Sequence, residues 1–244
     1  MILFKILFAL IRLPLSLLPG GLGESPAVRR YKSGVRLQRR GRLEEAVAEY
    51  TKAIELDGSL AQAHCNRGGA YHQLGSPRLA IKDLNEAVKL QPRLAVGYSE
   101  RGMAHVSLGE YKEAVVNMNS AIKLNPKYAG FYSARGHMYR MMGRHRNAIK
   151  DFDEAIRIDA KFAEAYNNRA DVYLALNQPE RAIGDLDEAI GLDRNFAIAY
   201  VNRALAWTIL GKDSEADRDV DVAARMGLDR ATMVEKIQEL KAAR

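Results

Sequence analysis

The sequence repeats itself every 34 residues, and a period of that length removes most of the folds open to a chain of 244. Self-similarity at about 20–50 residues means that each unit is one supersecondary element that cannot bury its apolar face alone, so neighbours must stack. Ala61, Ala95, Ala129, Ala163 and Ala197 open successive units, and Ala27 opens a weaker first one. Six units then fill residues 27–230 without an insertion, as 27–60, 61–94, 95–128, 129–162, 163–196 and 197–230.

The register inside a unit predicts its local structure. Position 15 is Gly41, Gly75, Gly109, Gly143 and Gly211, replaced once by Asn177; both residue types tolerate the left-handed backbone that ends a helix. Position 8 is small (Gly34, Gly68, Gly102, Gly136, Ala170, Ala204) and position 20 is always alanine (Ala46, Ala80, Ala114, Ala148, Ala182, Ala216). Small residues at both places let two helices approach, while Tyr50, Leu84, Met118, Phe152, Leu186 and Val220 at position 24 fill the remaining space. Each unit therefore reads as a helical hairpin, with helix A near positions 2–14 and helix B near 17–30. Pro77 and Pro179 fall in the first turn of helix B, where a missing amide hydrogen is harmless, and Pro92 and Pro126 stop helix B.

With an aromatic or His at position 4 (His64, Tyr98, Tyr132, Tyr166, Tyr200), this pattern resembles the tetratricopeptide-repeat (TPR) family over about four fifths of the chain. The resemblance implies an all-α, right-handed superhelical solenoid of stacked antiparallel helix pairs. It also implies a C-terminal capping helix over residues 231–244, which the near-helical spacing of Leu228, Met233, Val234, Ile237 and Leu240 supports. Unit 1 departs from the pattern. Arg30 and Arg40 stand where apolar packing residues belong, so its first helix reads as a solvent-facing cap.

The net charge of +7 suggests a nucleic-acid partner until it is divided along the chain. Lys5, Arg12 and the seven basic residues from Arg29 to Arg42 are opposed there by Glu24 alone, which leaves residues 43–244 close to neutral. A protein that tracks phosphates needs a continuous basic stripe, so no nucleic acid is expected. Residues 1–19 are apolar apart from a narrow polar edge formed by Lys5, Arg12 and Ser16, and residues 20–26 form a linker. Twelve Leu, Ile and Phe side chains favour membrane insertion by about 4–7 kcal/mol, against about 3 kcal/mol for Arg12. A membrane anchor, an interfacial helix and a signal sequence cleaved near Gly23 all stand open. The basic run resists translocation and is drawn to anionic lipid. That favours membrane association with the repeats cytoplasmic, with a periplasmic or secreted protein as the alternative.

No phosphate-cradling loop, HExxH, nucleophile elbow or paired carboxylate is present, and a lone Cys65 excludes a disulfide framework or a cysteine-built metal site. No catalytic residue, metal or cofactor is expected. Arg67, Arg101, Arg135, Arg169 and Arg203 form a ladder at position 7 that suggests anion binding, but position 23 carries Asp83, Asn117, Asp151, Asp185 and Asp219. The joint occurrence favours charge-assisted bonds between helices A and B of one unit.

By resemblance, the groove is lined by helix A positions 2, 5, 6, 9, 12 and 13, with Asn at position 6 bonding a ligand's backbone. Asn66, Asn168 and Asn202 match, whereas Lys32, Glu100 and Ala134 do not, and the two-basic, two-Asn carboxylate clamp is not reproduced. The projected groove is polar through Asn66, His72, Gln73, His137, Arg140, Asn167, Asn168, Asp171 and Asn202, and apolar in unit 6 through Ile198, Val201 and Leu205. That gradient would orient a bound protein or peptide segment. The alternative is that the apolar stretch is covered by the closing helix or by the chain's own N-terminal segment. The expected function is a non-catalytic interaction scaffold, in a membrane-associated assembly or adaptor role. The alternatives are a self-assembling structural scaffold and an exported TPR protein.

Overall fold

The computed structural model describes residues 24–242; the apolar segment 1–19 and the site near Gly23 lie outside them. The described residues form thirteen α-helices and no strand. They divide into two compact units, one ending at Pro126 and one beginning at Lys127.

The first unit holds three hairpins: α1 (Pro26–Arg39) with α2 (Leu43–Leu56), α3 (Ala61–Gln73) with α4 (Pro77–Leu90), and α5 (Ala95–Ser107) with α6 (Tyr111–Leu124). The second holds α7 (Ala129–Met141) with α8 (His145–Ile158), α9 (Ala163–Ala175) with α10 (Pro179–Leu192), α11 (Ala197–Ile209) with α12 (Asp213–Arg225), and a closing helix α13 (Arg230–Ala242). The all-α reading of stacked helix pairs holds within each unit.

Each hairpin turns through a left-handed residue, with φ near 70° at Gly41, Gly75, Gly109, Gly143 and Gly211 and φ 54° at Asn177. Asparagine is the side-chain-bearing residue best able to adopt that conformation, which explains the single replacement. The helices of a pair then pack closely. A Cβ on Gly34 would stand 2.6 Å from the Tyr50 ring, and one on Gly136 would stand 2.9 Å from Phe152. Tyr50, Leu84, Met118, Phe152 and Leu186 are fully buried, each contributing about 1.5–3 kcal/mol.

Position 4 has a second task besides filling space. Tyr166 and Tyr200 donate their hydroxyls to the carbonyls of Ala160 and Arg194, at 3.5 and 3.3 Å, and so fasten the turn that precedes each hairpin. His64 places Nε2 3.2 Å from the Gly58 carbonyl, so histidine substitutes for tyrosine with its polar tip in the same role. In three of these turns an Asp carboxylate also accepts an amide two residues on: Asp57 from Ser59, Asp159 from Lys161 and Asp193 from Asn195.

Candidate functional site: the faces of the helical hairpins

The position-7 arginines are internal struts. Nε and Nη2 of Arg67 donate to Asp83 at 2.6 and 2.8 Å, and Arg135 with Asp151, Arg169 with Asp185 and Arg203 with Asp219 repeat the bidentate pair. These arginine side chains are only 16–20 % exposed, and hydrogen bonding to the Asp raises each guanidinium further above its ordinary pKa. The guanidinium also has a third arm, which the sequence reading missed. Nη1 reaches back sixteen residues to the preceding hairpin, from Arg67 to Thr51, Arg101 to Asn85, Arg169 to Asp153 and Arg203 to Asp187. One arginine thus ties helix A to its own helix B and to the helix B before it. The acceptor varies among Thr, Asn and Asp, so the sequence offers only the constant spacing as a signal.

The A helices carry most of the residues projected as a binding wall, and the structure joins many of them sideways. Asn66 donates to the Tyr31 hydroxyl at 3.2 Å, and Asn202 donates to Asn167 Oδ1 at 2.9 Å. His72 Nε2 lies 2.8 Å from Ser107 Oγ, and Arg140 pairs with Asp171 at 2.8 Å. Asn167 and Asn168 are buried and touch each other at 3.4 Å; His72 is buried too, whereas Gln73 is exposed. His137 is half-buried, and burial, helped by the Arg140 charge, pushes its pKa down to about 4, so the ring is neutral at physiological pH. Within each unit the A helices therefore present polar side chains pre-ordered by pairing between neighbouring A helices.

The pairing breaks on α5, where the Ser99 hydroxyl and the Glu100 carboxyl are both buried without a partner. Three of the lateral bonds link residues thirty-five apart, and the same spacing sets Glu100 on α5 opposite Cys65 on α3. A thiol is a poor donor, and Glu100 Oε2 is buried without a hydrogen-bond partner, close enough to Gly69 that a Cβ added there would stand 3.7 Å from it. Burial pushes the Glu100 carboxyl up to about 7, and burial followed by the Glu100 charge raises the Cys65 thiol above its ordinary range. Cys65 is thus an inert core residue. Glu100 is a group that the sequence reading noted only as a departure from Asn.

The apolar end of the projected groove is in part taken up by the chain itself. Val201 and Leu205 pack against the cluster that Met233 and Ile237 of α13 form with Ala204, Val220 and Ala223. Val201 and Leu205 stay half-buried beside this cluster, as an apolar helix face is met in part by the next amphipathic helix. Ile198, one turn earlier, is half-buried. The basic residues of α1 lie mostly at the surface, with Arg30 bonded to Glu49. Among the described residues no group of His, Cys, Asp or Glu is arranged to hold a metal, and no helix is long and apolar enough to cross a membrane.

Comparison with known proteins places these features in a family. The family profile described as "TPR repeat" matches residues 27–75, 102–143 and 136–177, and profiles described as "Tetratricopeptide repeat" match 61–94 and 163–196. No curated protein matches the chain. Among solved structures, MamA is similar at 27 % identity and a TM-score of 0.60, over 67 % of this chain and 96 % of that one. Pseudomonas aeruginosa pilF is similar at 19 % identity and a TM-score of 0.74, over 89 % and 97 %. YrrB, described as a TPR protein with an unusual peptide-binding site, is similar at 17 % identity and a TM-score of 0.59, over 78 % and 97 %. With its hairpins, turns and buried small-residue seams in register with those profiles, the chain belongs to the tetratricopeptide-repeat family.

Proposed function

We propose that the protein is a non-catalytic scaffold that holds a polypeptide segment against its A-helix face. The carrying observation is made in each compact unit by itself: side chains on its A helices are already held in place by one another, Tyr31 with Asn66 and His72 with Ser107 in the first unit, Asn167 with Asn202 in the second. Amides and hydroxyls offer donors and acceptors together, as an extended peptide backbone requires. Groups ordered before binding lose little freedom on binding, so more of the contact energy appears as affinity. TPR folds serve protein interaction, and the fold shared with YrrB, a TPR protein with an unusual peptide-binding site, supports the same use here.

The test is a pulldown with the full chain against the double variant Asn168→Ala with Asn202→Ala, with circular dichroism melting to show that the variant is folded. Loss of most of the captured polypeptide supports the proposal, and undiminished capture by a folded variant overturns it.

Membrane association through residues 1–19 and the basic residues Arg29 to Arg42, with the repeats on the cytoplasmic side, is the location that the sequence supports best. Fractionation of a C-terminally tagged chain with protease protection decides it. Recovery in the membrane fraction, with the tag protected from protease in intact cells and digested once they are lysed, is the expected result, and recovery in the soluble exported fraction overturns it.

A further inference from the structure

The strut pattern fails at one hairpin, and it fails beside a depression. In α5 and α6 the position-23 residue is Asn117 instead of Asp, and the acceptor in the preceding hairpin is Asn85 instead of a carboxylate. Arg101 gives Nε to Asn117 Oδ1 at 2.7 Å and Nη1 to Asn85 Oδ1 at 2.8 Å. The Nη2 hydrogens that find an Asp oxygen in four other hairpins have no such oxygen here. Asn117 spends its own amide hydrogens on the Glu113 carbonyl at 2.8 Å, which holds its oxygen side towards the arginine and leaves no second acceptor. Arg101 accordingly has its pKa lowered by burial, whereas the four arginines paired with Asp have theirs raised.

The guanidinium faces an open depression of about 420 Å³ between α4, α5 and α6, on the B-helix side of the first unit. Ile81 and Val116 supply an apolar rim, Val116 being 63 % exposed, and Lys112 adds a second cation. Glu113 also borders the space but makes no ion pair with Arg101; the other anion nearby, Glu110, is bound by His105 at 2.6 Å. A half-buried arginine with two neutral acceptors lacks the counter-ion that every comparable site supplies internally.

We propose that this depression is a carboxylate-binding site, where Arg101 receives an Asp or Glu side chain of a partner polypeptide in the place that an internal Asp occupies in the other hairpins. The guanidinium fork matches a planar carboxylate. The apolar rim suits a residue flanking the acid, and the space exceeds what a lone ion fills. This site is separate from the A-helix face, so it gives the scaffold a second, charge-selective contact on another side of its first unit.

The test follows the ¹H–¹⁵N resonance of Arg101 Nε in the full chain, assigned by its disappearance in Arg101→Lys. The probes are the blocked tripeptide acetyl-Leu-Asp-Leu-amide, its Asn counterpart and sodium phosphate. The Asp peptide should shift the resonance to saturation with a dissociation constant on the order of 1 mM, as one charge-assisted contact at a half-exposed site gives. The Asn peptide should bind about tenfold more weakly. Asn117→Asp should abolish the shift while raising the melting temperature by about 2–4 °C, because it restores the internal partner that the sister hairpins tolerate. Asn202→Ala, in the second unit, should leave the titration unchanged, so failure here and failure of A-face binding read out separately. No shift with the Asp peptide, equal binding of the two peptides, undiminished binding by Asn117→Asp, or tight binding of phosphate alone overturns the proposal.

Discussion

A guanidinium lodged between three helices stabilises them only if each of its donors meets an acceptor, because a largely buried charge left short of partners retains its desolvation penalty. Arg135 with Asp151 meets that condition, so Asp151→Asn, which keeps the shape and one acceptor but removes the charge, should destabilise the chain by about 1–3 kcal/mol. Urea denaturation measures it; unchanged midpoints for this variant and for Asp185→Asn would contradict the strut role. Glu100 is the reverse case, a buried carboxyl without a partner. Burial raises it from 4.5 to about 7, so the folded state holds its proton more tightly than the unfolded chain. The stability tied to this group is then complete below about pH 4.5 and lost as pH rises through about 7. Glu100→Gln should therefore match the wild type at pH 4 and exceed it at pH 8 by up to about 3 kcal/mol; parallel melting curves for the two proteins across that range would contradict it. The pairing of position 7 with position 23 was legible because both members recur in register. The orphaned Glu100 was not, since it depends on Cys65 standing opposite, thirty-five residues earlier, where four of the five sister A helices place a hydroxyl or an amide.

A hairpin in a stack is held by its neighbours, so the last one needs a substitute for the hairpin that would follow it. α13 is that substitute: Met233 and Ile237 are 8 % and 3 % exposed, and they partly cover Val201 and Leu205. Asp229 fixes the start of this helix by accepting the Thr232 hydroxyl and, at 3.1 Å, the Thr232 amide; the hydroxyl first and the amide second lower the Asp229 pKa. Ile237→Asp should strip α13 from the end. Hydrogen exchange should then lose protection in α11 and α12 by at least about tenfold, while α7 and α8 keep theirs, because stability in such stacks is local. Uniform loss through α7–α12 would contradict the capping role. At this scale the sequence was most informative, because helix ends are set by single residues such as Gly143, Asn177 and Pro179 whose backbone limits are known in advance. The partial cover over Val201 and Leu205 was not decided by sequence, since an apolar stripe on α11 looks the same whether it meets a ligand or the chain's own last helix.

At the scale of the molecule, each of the two compact units presents a face built from A helices and a face built from B helices, and the two are chemically unlike. The A helices pair polar side chains with one another, whereas the B helices carry the strut acceptors and, beside Arg101, the one hairpin whose strut lacks a carboxylate. The proposed role of holding a polypeptide segment is assigned to the A-helix faces. Photo-crosslinking tests that claim most directly, with p-benzoylphenylalanine placed singly at Gln73, Arg140 and Ile198 on A helices and at Lys82, Lys150 and Glu188 on B helices, and the adducts mapped by mass spectrometry. Adducts of the same polypeptide segment at the three A-helix positions, with none at Lys150 and Glu188, are the predicted result; Lys82, next to Ile81 of the depression at Arg101, reports that second site separately. Adducts confined to the B-helix positions would contradict the account.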